Sequence, residues 1–213
     1  MGEGINPEIL MEDLYDVVEK HSGLHINFID GFPDSLSGRF DVTVDNYCLG
    51  VFSVIIKIPK RYPFEFPAIY ETDFRIPRIN DRHMYPDGKC CLDFDFNLRI
   101  LAKKGISIFN AIEVKAIPFF ADQVFFEKHN HFNGREYSHN FKLAMKEYFV
   151  NKFESDNEVL IKTGLRFLTD RNKSKDSICF CGSRKKFSDC HKLKIGDLSL
   201  LDAGILEFAQ SIY

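Results

Sequence analysis

The chain has 213 residues, enough for one core of about 150 residues and a small appendage. Hydrophobic residues make up 45% of the sequence and charged residues 28%, a balance that excludes a disordered chain. The 28 basic and 31 acidic residues give a net charge of −3, which argues against binding to a nucleic-acid backbone or to an anionic membrane.

The sequence also predicts where the protein works. The longest uncharged apolar stretch, from Cys48 to Ile56, is far shorter than the roughly 20 residues of a membrane helix. The first residues carry no signal-peptide pattern. We therefore expect a cytoplasmic protein that contacts neither membranes nor nucleic acid.

The first half of the sequence predicts a helix followed by strands. Asn6 and Pro7 form a helix-start signal, and apolar residues recur at helical spacing as far as His21. From Leu24 the apolar residues alternate in short runs, which predicts an antiparallel meander of about four strands ending near Thr72. Residues 61–97 are rich in proline and aromatic residues and have no clear period, which indicates a long shaped loop with a function.

Helical periodicity returns in the second half. The predicted helices cover residues 106–128, 134–153 and 155–170. Pro118 is expected to break or kink the first of them, and Ser155 with Glu158 has the pattern of a capping box for the third. A polar linker at 171–177 follows. A final amphipathic helix is predicted from one apolar face, formed by Leu198, Leu201, Ile205, Phe208 and Ile212.

Two motifs in the long loop carry a family resemblance. Residues 62–67 read YPFEFP, and residues 78–93 read RINDRHMYPDGKCCLD. Following a helix and a four-strand meander, these motifs resemble the YPF-x-x-P segment and the G-x-x-C-L-D loop of the ubiquitin-conjugating enzymes. The resemblance implies that fold for roughly residues 6–152, and it implies that Cys91 accepts a ubiquitin-like protein as a thioester.

One position departs from the family pattern. His83 stands eight residues before Cys91, where the family has the asparagine of a His-Pro-Asn tripeptide. The prokaryotic relatives of the family are similar in using a histidine near the cysteine, so the resemblance points to the bacterial branch, which occurs in antiphage defence operons. It implies a protein substrate with an activated C-terminus, such as a cyclic-oligonucleotide synthase of the cGAS type. The sequence has no nucleotide-binding glycine fingerprint, so either a separate activating enzyme or another route of activation is needed.

Thioester chemistry suits these residue types. A thiolate attacks an activated acyl group readily, and the thioester still passes the group to an amine or a second thiol. Asp87, Asp93 and Asp95 are expected to raise the pKa of Cys91 above the ordinary value of about 8.5. His83 is the candidate proton acceptor, or the hydrogen-bond donor to the tetrahedral intermediate, with a loop hydrogen bond as the plainer alternative.

The other cysteines and histidines of this region have simpler interpretations. Cys90 and Cys48 are expected to pack as small apolar side chains, because extended neighbours such as Cys90 and Cys91 point in opposite directions. Three histidines near a later helix either line the cleft or belong to a solvated loop: His129, His131 and His139.

The C-terminal part contains a second cysteine pattern. Residues 179–191 read CFCGSRKKFSDCH, so Cys179, Cys181, Cys190 and His191 offer three thiolates and one imidazole. This set suits a tetrahedral structural Zn²⁺ that leaves no open position for a substrate water. The string also resembles the SEC-C motif, a small zinc-binding module appended to many bacterial proteins.

Together these observations predict an α+β fold of the ubiquitin-conjugating type with a small zinc module. The predicted division is a catalytic domain at 1–153, a helix and linker at 154–177, and the zinc module with a terminal helix at 178–213. The leading hypothesis is a cysteine acyltransferase that uses Cys91. The alternatives are a non-catalytic adaptor with the same fold, and an interaction protein whose zinc module does the binding.

Overall fold

The structure is a computed structural model that describes residues 6–134 and 137–213. Contacts divide the chain into two compact units, residues 1–135 and 136–213. The boundary suggested by the sequence, after residue 153, therefore falls inside the second unit. Within the described residues, none of the helices has the length and apolar character needed to cross a membrane.

The first unit begins with the predicted helix. Helix α1 (Pro7–Lys20) follows the N-cap residue Asn6, whose side chain accepts a hydrogen bond from the backbone N–H of Glu8 at 3.0 Å. The helix buries an apolar stripe against the core, formed by Leu10, Leu14 and Val17. The helix-start signal and the apolar spacing are confirmed.

An antiparallel sheet follows α1. Its strands are β1 (Leu24–Ile29), β2 (Phe32–Val44), β3 (Tyr47–Lys57) and β4 (Ala68–Glu71), and they pair in sequence order. The predicted four-strand meander is therefore confirmed. One face of β2 and β3 is buried with the helices in a single core, which includes Leu36, Phe40, Val42, Phe52, Val54 and Ile56.

The segment after the sheet is partly irregular and partly helical. A short 3₁₀ turn (Asn80–Arg82) lies within it, and helix α2 (Asp95–Lys103) follows. The prediction of a loop as far as residue 97 missed the start of α2. Phe96 and Ile100 of α2 are buried, a four-residue spacing that indicates a helix but was hidden by the surrounding aspartates.

The predicted helix 106–128 is interrupted, as Pro118 required. It consists of α3 (Ile108–Ala111), a π-helical turn (Ile112–Ala116) and α4 (Ile117–His129). Pro118 has no N–H to donate to the carbonyl of Val114, and its ring crowds that carbonyl. The wider π turn lies at this point of conflict, which agrees with the usual origin of such turns.

The second unit is helical, and three predictions for it need correction. Its helices are α5 (Phe141–Phe153), α6 (Glu158–Thr169), α7 (Lys192–Ile195) and α8 (Ala203–Gln210). Helix α5 begins at Phe141 rather than near Gly134, because the Asn140 side chain caps it. Helix α6 is capped by Asn157, not by Ser155.

The third correction concerns the C-terminus. The amphipathic helix predicted from Leu198 to Ile212 starts later than expected, because Leu198 lies in a 3₁₀ turn (Gly196–Leu200) and α8 begins only at Ala203. As a result Leu198 and Leu201 are buried as expected, but Phe208 is exposed and Leu206 takes the buried position on α8. The four predicted metal ligands all lie in the segment between α6 and α7.

Candidate functional site

Cys91 lies at the end of a short extended segment whose backbone is fixed on both sides. The N–H of Cys90 donates to the carbonyl of Ile69 in β4 at 2.8 Å, and the N–H of Cys91 donates to the carbonyl of His83, also at 2.8 Å. Cys90 is 4% exposed, and Cys91 is half-buried. The alternation predicted for adjacent extended residues is present, and burial raises the pKa of Cys90 to about 12.

A buried ion pair stabilises the loop that leads to Cys91. The side chain of Glu71 has no exposed surface, and its Oε2 lies 2.5 Å from Nη1 of Arg78. Glu71 also ties down the main chain, since its Oε1 accepts from the N–H groups of Asp73 and Arg75 at 2.9 and 3.2 Å. Arg78 in turn donates from Nη2 to the carbonyl of Glu71. One pair thus fixes the direction in which the chain leaves β4.

Gly88 closes this loop at a point where no other residue fits well. Its φ of +89° lies in the left-handed region, and its carbonyl accepts from the N–H of Glu71 at 2.9 Å. A Cβ at position 88 would meet the carbonyl oxygen of Glu71 at 2.8 Å and Nη2 of Arg78 at 3.1 Å. The glycine of the G-x-x-C-L-D motif is therefore required by the backbone beside the buried ion pair.

The pKa of Cys91 is raised, and burial is the main cause. Asp93 and Asp95 add to the increase, as the sequence predicted, whereas a hydrogen bond from the Tyr85 hydroxyl and the charge of Lys89 oppose it. The interaction is mutual, because the charge of Cys91 is the first cause of a raised pKa at Tyr85. At neutral pH the site therefore holds a largely protonated thiol with a hydroxyl in contact with its sulfur.

His83 meets Cys91 through its main chain. Its left-handed backbone (φ +49°) ends the 3₁₀ turn and directs its carbonyl to the N–H of Cys91. Its imidazole lies 5.2 Å from the ring of Phe132. Burial raises the pKa of Asp122 on α4, and the nearby His83 opposes that increase, so the imidazole and this carboxylate interact electrostatically. The predicted proximity of His83 to Cys91 is present in the backbone.

Arg82 connects the turn before His83 to α4. Its Nε donates to Oε1 of Gln123 at 2.9 Å, and Nε2 of Gln123 donates to the carbonyl of Arg82 at 3.1 Å. Both residues are buried, and the guanidinium also lies 4.2 Å from the ring centre of Phe126. The position of His83 is therefore set by a reciprocal pair of buried hydrogen bonds.

Asp93 organises the chain on the other side of Cys91. Its Oδ1 accepts from the N–H of Phe94 at 2.6 Å and from Nδ2 of Asn97 at 3.0 Å, where α2 begins. Its Oδ2 lies 2.5 Å from Nζ of Lys115 in the π-helical turn. Cys91 is thus held between the His83 turn and an anchored carboxylate.

The three other candidate histidines and Cys48 are all exposed. His129 and His131 are exposed and lie around Phe125, at ring distances of 4.2 and 5.4 Å. His139 is exposed and belongs to the second unit. Cys48 is exposed beside the turn between β2 and β3, so its predicted role as a packing thiol is wrong.

The four predicted metal ligands come together in the second unit. Their ligand atoms all lie within 4.8 Å of one another, so the cluster could hold a metal ion. Nδ1 of His191 is 3.3 Å from Sγ of Cys179 and 3.2 Å from Sγ of Cys190, and Sγ of Cys181 is 3.6 Å from Sγ of Cys190. Local structure forms this cluster: Gly182 has a φ of +77°, and the 3₁₀ turn Phe187–Asp189 leads directly into Cys190.

The protonation of the cluster also suits a ligand set. Burial alone would raise the pKa of Cys181, but hydrogen bonds from Ser183 and the neighbouring thiols lower it to about 7. Burial raises the pKa of Cys179 to about 11 and lowers that of His191, so the imidazole is neutral at neutral pH. A divalent cation would bind the neutral imidazole directly and would displace the protons of the thiols as it binds.

Aromatic packing supports the histidine of this cluster. The ring of Phe180 lies 4.9 Å from the imidazole of His191 and 5.6 Å from the ring of Phe167 on α6. Gly164 on the same helix makes room for this ring, since a Cβ there would lie 2.9 Å from Phe180 and 2.2 Å from Phe153. The glycine inside α6 is thus explained by the packing behind the ligand.

No protein-family model matches the chain, and no curated protein matches it.

Proposed function

We propose that the first unit is an acyl carrier of the ubiquitin-conjugating type, with Cys91 as its nucleophile. The observation that supports this most directly is the pair of adjacent cysteines. Cys90 is buried in the core, whereas Cys91 is half-buried at the end of a loop that buried polar residues hold in place. The order of elements, a helix, a four-stranded meander, a long loop and further helices, agrees with that family's fold.

The chemistry consists of two transfers. In the first, the Cys91 thiol gives up its proton to solvent and the sulfur forms a bond to the carbonyl carbon of an activated protein C-terminus, while the bond from that carbon to the leaving group breaks and the leaving group departs with its electron pair. In the second, an amine or thiol attacks the same carbon, the carbon–sulfur bond breaks and the Cys91 thiolate leaves. The attacking group gives up one proton, and His83 with Asp122 is the proposed acceptor. A raised thiol pKa fits a carrier that stays unreactive until its partners bind.

Activation of the acyl group has to come from outside the chain. The proposed substrate is a ubiquitin-like or other protein with an activated C-terminus. A cyclic-oligonucleotide synthase of the cGAS type is the partner that the family resemblance favours, with a separate activating enzyme.

We propose that the cluster in the second unit binds a structural Zn²⁺ in a module of the SEC-C type. A zinc–sulfur bond of about 2.3 Å in a tetrahedral site places sulfur atoms about 3.8 Å apart, and sulfur and nitrogen about 3.5 Å apart. The distances of 3.6 Å between Cys181 and Cys190, and of 3.2 Å between Cys190 and His191, fit this arrangement. Four protein ligands complete the coordination, so the ion would contribute to folding and not to acyl transfer.

Trapping of an acyl adduct tests the proposed function. The protein is co-expressed with the products of neighbouring genes and analysed by non-reducing gels and intact mass measurement. A thiol-sensitive adduct is expected on the wild type, and none on Cys91→Ala. Cys91→Ser should convert the adduct to a thiol-resistant ester, and Cys48→Ala, an exposed cysteine, serves as the matched control. A wild type that never gains an adduct, together with a fully active Cys91→Ala in a defence assay, would contradict the proposal.

A non-catalytic adaptor is the second candidate. The histidine at position 83, where the ubiquitin-conjugating enzymes have an asparagine, favours it. The two candidates differ in a simple way: an adaptor keeps its biological activity in Cys91→Ala, and an acyl carrier loses it. Removal of residues 172–213 tests whether partner binding and acyl transfer depend on different parts of the chain. A variant that keeps the acyl adduct but no longer binds its partner would assign partner binding to the zinc module.

A further inference from the structure

A lysine from the π-helical turn reaches the loop of Cys91. Nζ of Lys115 lies 2.5 Å from Oδ2 of Asp93, and the two side chains are only 24% and 17% exposed. An ion pair this far removed from solvent is screened less than a surface pair. The residues are 22 positions apart in sequence, so this contact joins the helical segment to the cysteine loop.

The carboxylate of Asp93 is fixed and not free to turn away. Its Oδ1 is held by the N–H of Phe94 and by Nδ2 of Asn97, which leaves Oδ2 for Lys115. Asp93 is two residues after Cys91 and raises the pKa of that thiol. Lys115 therefore opposes the charge of a carboxylate that cannot move away from the sulfur.

Other charged or titratable groups also act on Cys91. Tyr85 donates a hydrogen bond to its sulfur, and Lys89 favours the thiolate by its charge.

Asp95 disfavours the thiolate, but its own carboxylate is paired with Nε of Arg99 at 2.5 Å. Asp87 and Asp95 also raise the pKa of Tyr85. Both aspartates that raise the pKa of Cys91 thus have a cationic partner, and for Asp93 that partner is Lys115.

The π turn offers a matched control on the same segment. Glu113 pairs with Nζ of Lys20 at 2.6 Å and contacts Nε2 of His21 at 3.2 Å, both at the C-terminal end of α1. Loss of Lys20 therefore removes a lysine from an ion pair of the same π turn while leaving the pair between Lys115 and Asp93 intact.

We propose that Lys115 is a positioning residue for Cys91: by pairing with Asp93 it holds the loop after the cysteine and cancels the negative charge beside the sulfur. The role of this pair in acyl transfer rests on the proposed function, but its effect on the thiol does not. The two can therefore be tested apart, with a reagent that reacts with the thiol itself.

The test is the pH dependence of Cys91 alkylation when the intact protein reacts with iodoacetamide. The alkylated protein is then digested, and fragment mass spectrometry distinguishes modified Cys91 from modified Cys90. Lys115→Met is expected to raise the apparent pKa of Cys91 by about one pH unit. Alkylation at pH 7.5 then becomes about three- to fourfold slower, because the thiolate fraction falls tenfold while each remaining thiolate is more nucleophilic. Lys20→Met should leave the profile unchanged, and Lys115→Arg should restore it.

A second pair of variants distinguishes charge from folding. Asp93→Asn is expected to lower the apparent pKa of Cys91, and Lys115→Met should have no further effect in that background. The inference is wrong if Lys115→Met and the wild type share one profile, or if its effect persists in Asp93→Asn. A missing acyl adduct together with the expected alkylation profiles would instead contradict the proposed function and leave this inference standing.

Discussion

The two units place the same side chain, cysteine, in contrasting surroundings. In the first unit Cys91 is kept from other thiols, because the adjacent Cys90 points into the core. In the second unit three thiols and an imidazole converge within 4.8 Å. An isolated sulfur would be free to react with a partner, whereas the converging sulfurs could hold a metal ion together. The spacing of the residues in space, more than their pKa values, therefore separates a candidate nucleophile from candidate ligands.

The largest expected difference between the units is their response to metal removal. Chelation, or Cys181→Ser, should unfold residues 178–191, because a structural zinc site contributes about 10 kcal/mol to the folding of such a segment. Hydrogen exchange should rise sharply there and stay unchanged in β1–β4. Cys48→Ser, at an exposed thiol of the first unit, is the control. The expected difference between the units would be contradicted by two results together: hydrogen exchange of residues 178–191 that does not change on chelation, and less than one zinc per chain before chelation.

A smaller effect is expected from the buried ion pair of the first unit. Arg78→Met leaves the fully buried carboxylate of Glu71 without its partner, which should lower the free energy of unfolding by about 3–5 kcal/mol. Lys57→Met removes an ion pair with Asp34 that is 49% and 33% exposed, and should cost less than about 1 kcal/mol. Urea unfolding measures both. Equal costs for the two variants would show that the loop before Cys91 does not depend on its buried charges.

A helix cap in the second unit should contribute about 1 kcal/mol. Asn157→Ala removes the acceptor for the N–H of Leu160 at the start of α6, and a lost cap of this kind lowers stability by that amount. Ser155→Ala removes only an acceptor for the N–H of Asn157 at 3.2 Å, outside the helix. Thermal unfolding should therefore show a larger loss for Asn157→Ala. The reverse order would restore Ser155 as the cap that the sequence suggested.

The smallest expected effect concerns the reactivity of the isolated thiol. Tyr85→Phe removes the hydrogen bond that favours the Cys91 thiolate, so the pKa of Cys91 should rise and alkylation at neutral pH should slow by a factor of about two or three. Tyr70→Phe, a half-buried tyrosine of β4, is the matched control. A faster reaction in Tyr85→Phe would mean that the hydroxyl shields the sulfur instead of stabilising its charge.

Local patterns were predictable from the sequence, and contacts between distant residues were not. The Asn6 cap, the four strands and the convergence of Cys179 with His191 depend on residues close in sequence, and all three are present. The sequence does not reveal the start of α2, because aspartates surround the helical spacing of Phe96 and Ile100.

The environment of Cys91 depends on packing that no spacing rule reveals. Lys115 and Arg78 belong to no recognisable motif. Each acts through an ion pair with a carboxylate that only the fold brings close. The prediction of the C-terminal helix is wrong at its start for a related reason: the apolar residues fit one long helix, but Leu198 lies in the 3₁₀ turn Gly196–Leu200. Tyr85 was within reach of sequence reasoning, since it lies inside the motif, but its contact with the sulfur requires the turn to be known.

The hydrogen bond from the Cys91 amide to the His83 carbonyl has a consequence for any acyl group carried by this sulfur. Many acyl-transfer sites stabilise the oxyanion with the backbone N–H of the nucleophile itself. Here that N–H is already engaged at 2.8 Å in holding the loop. An oxyanion formed at Cys91 would therefore depend on side-chain donors, or on donors that the acceptor protein brings with it, so that the second partner would complete the reaction centre as well as supply the attacking group.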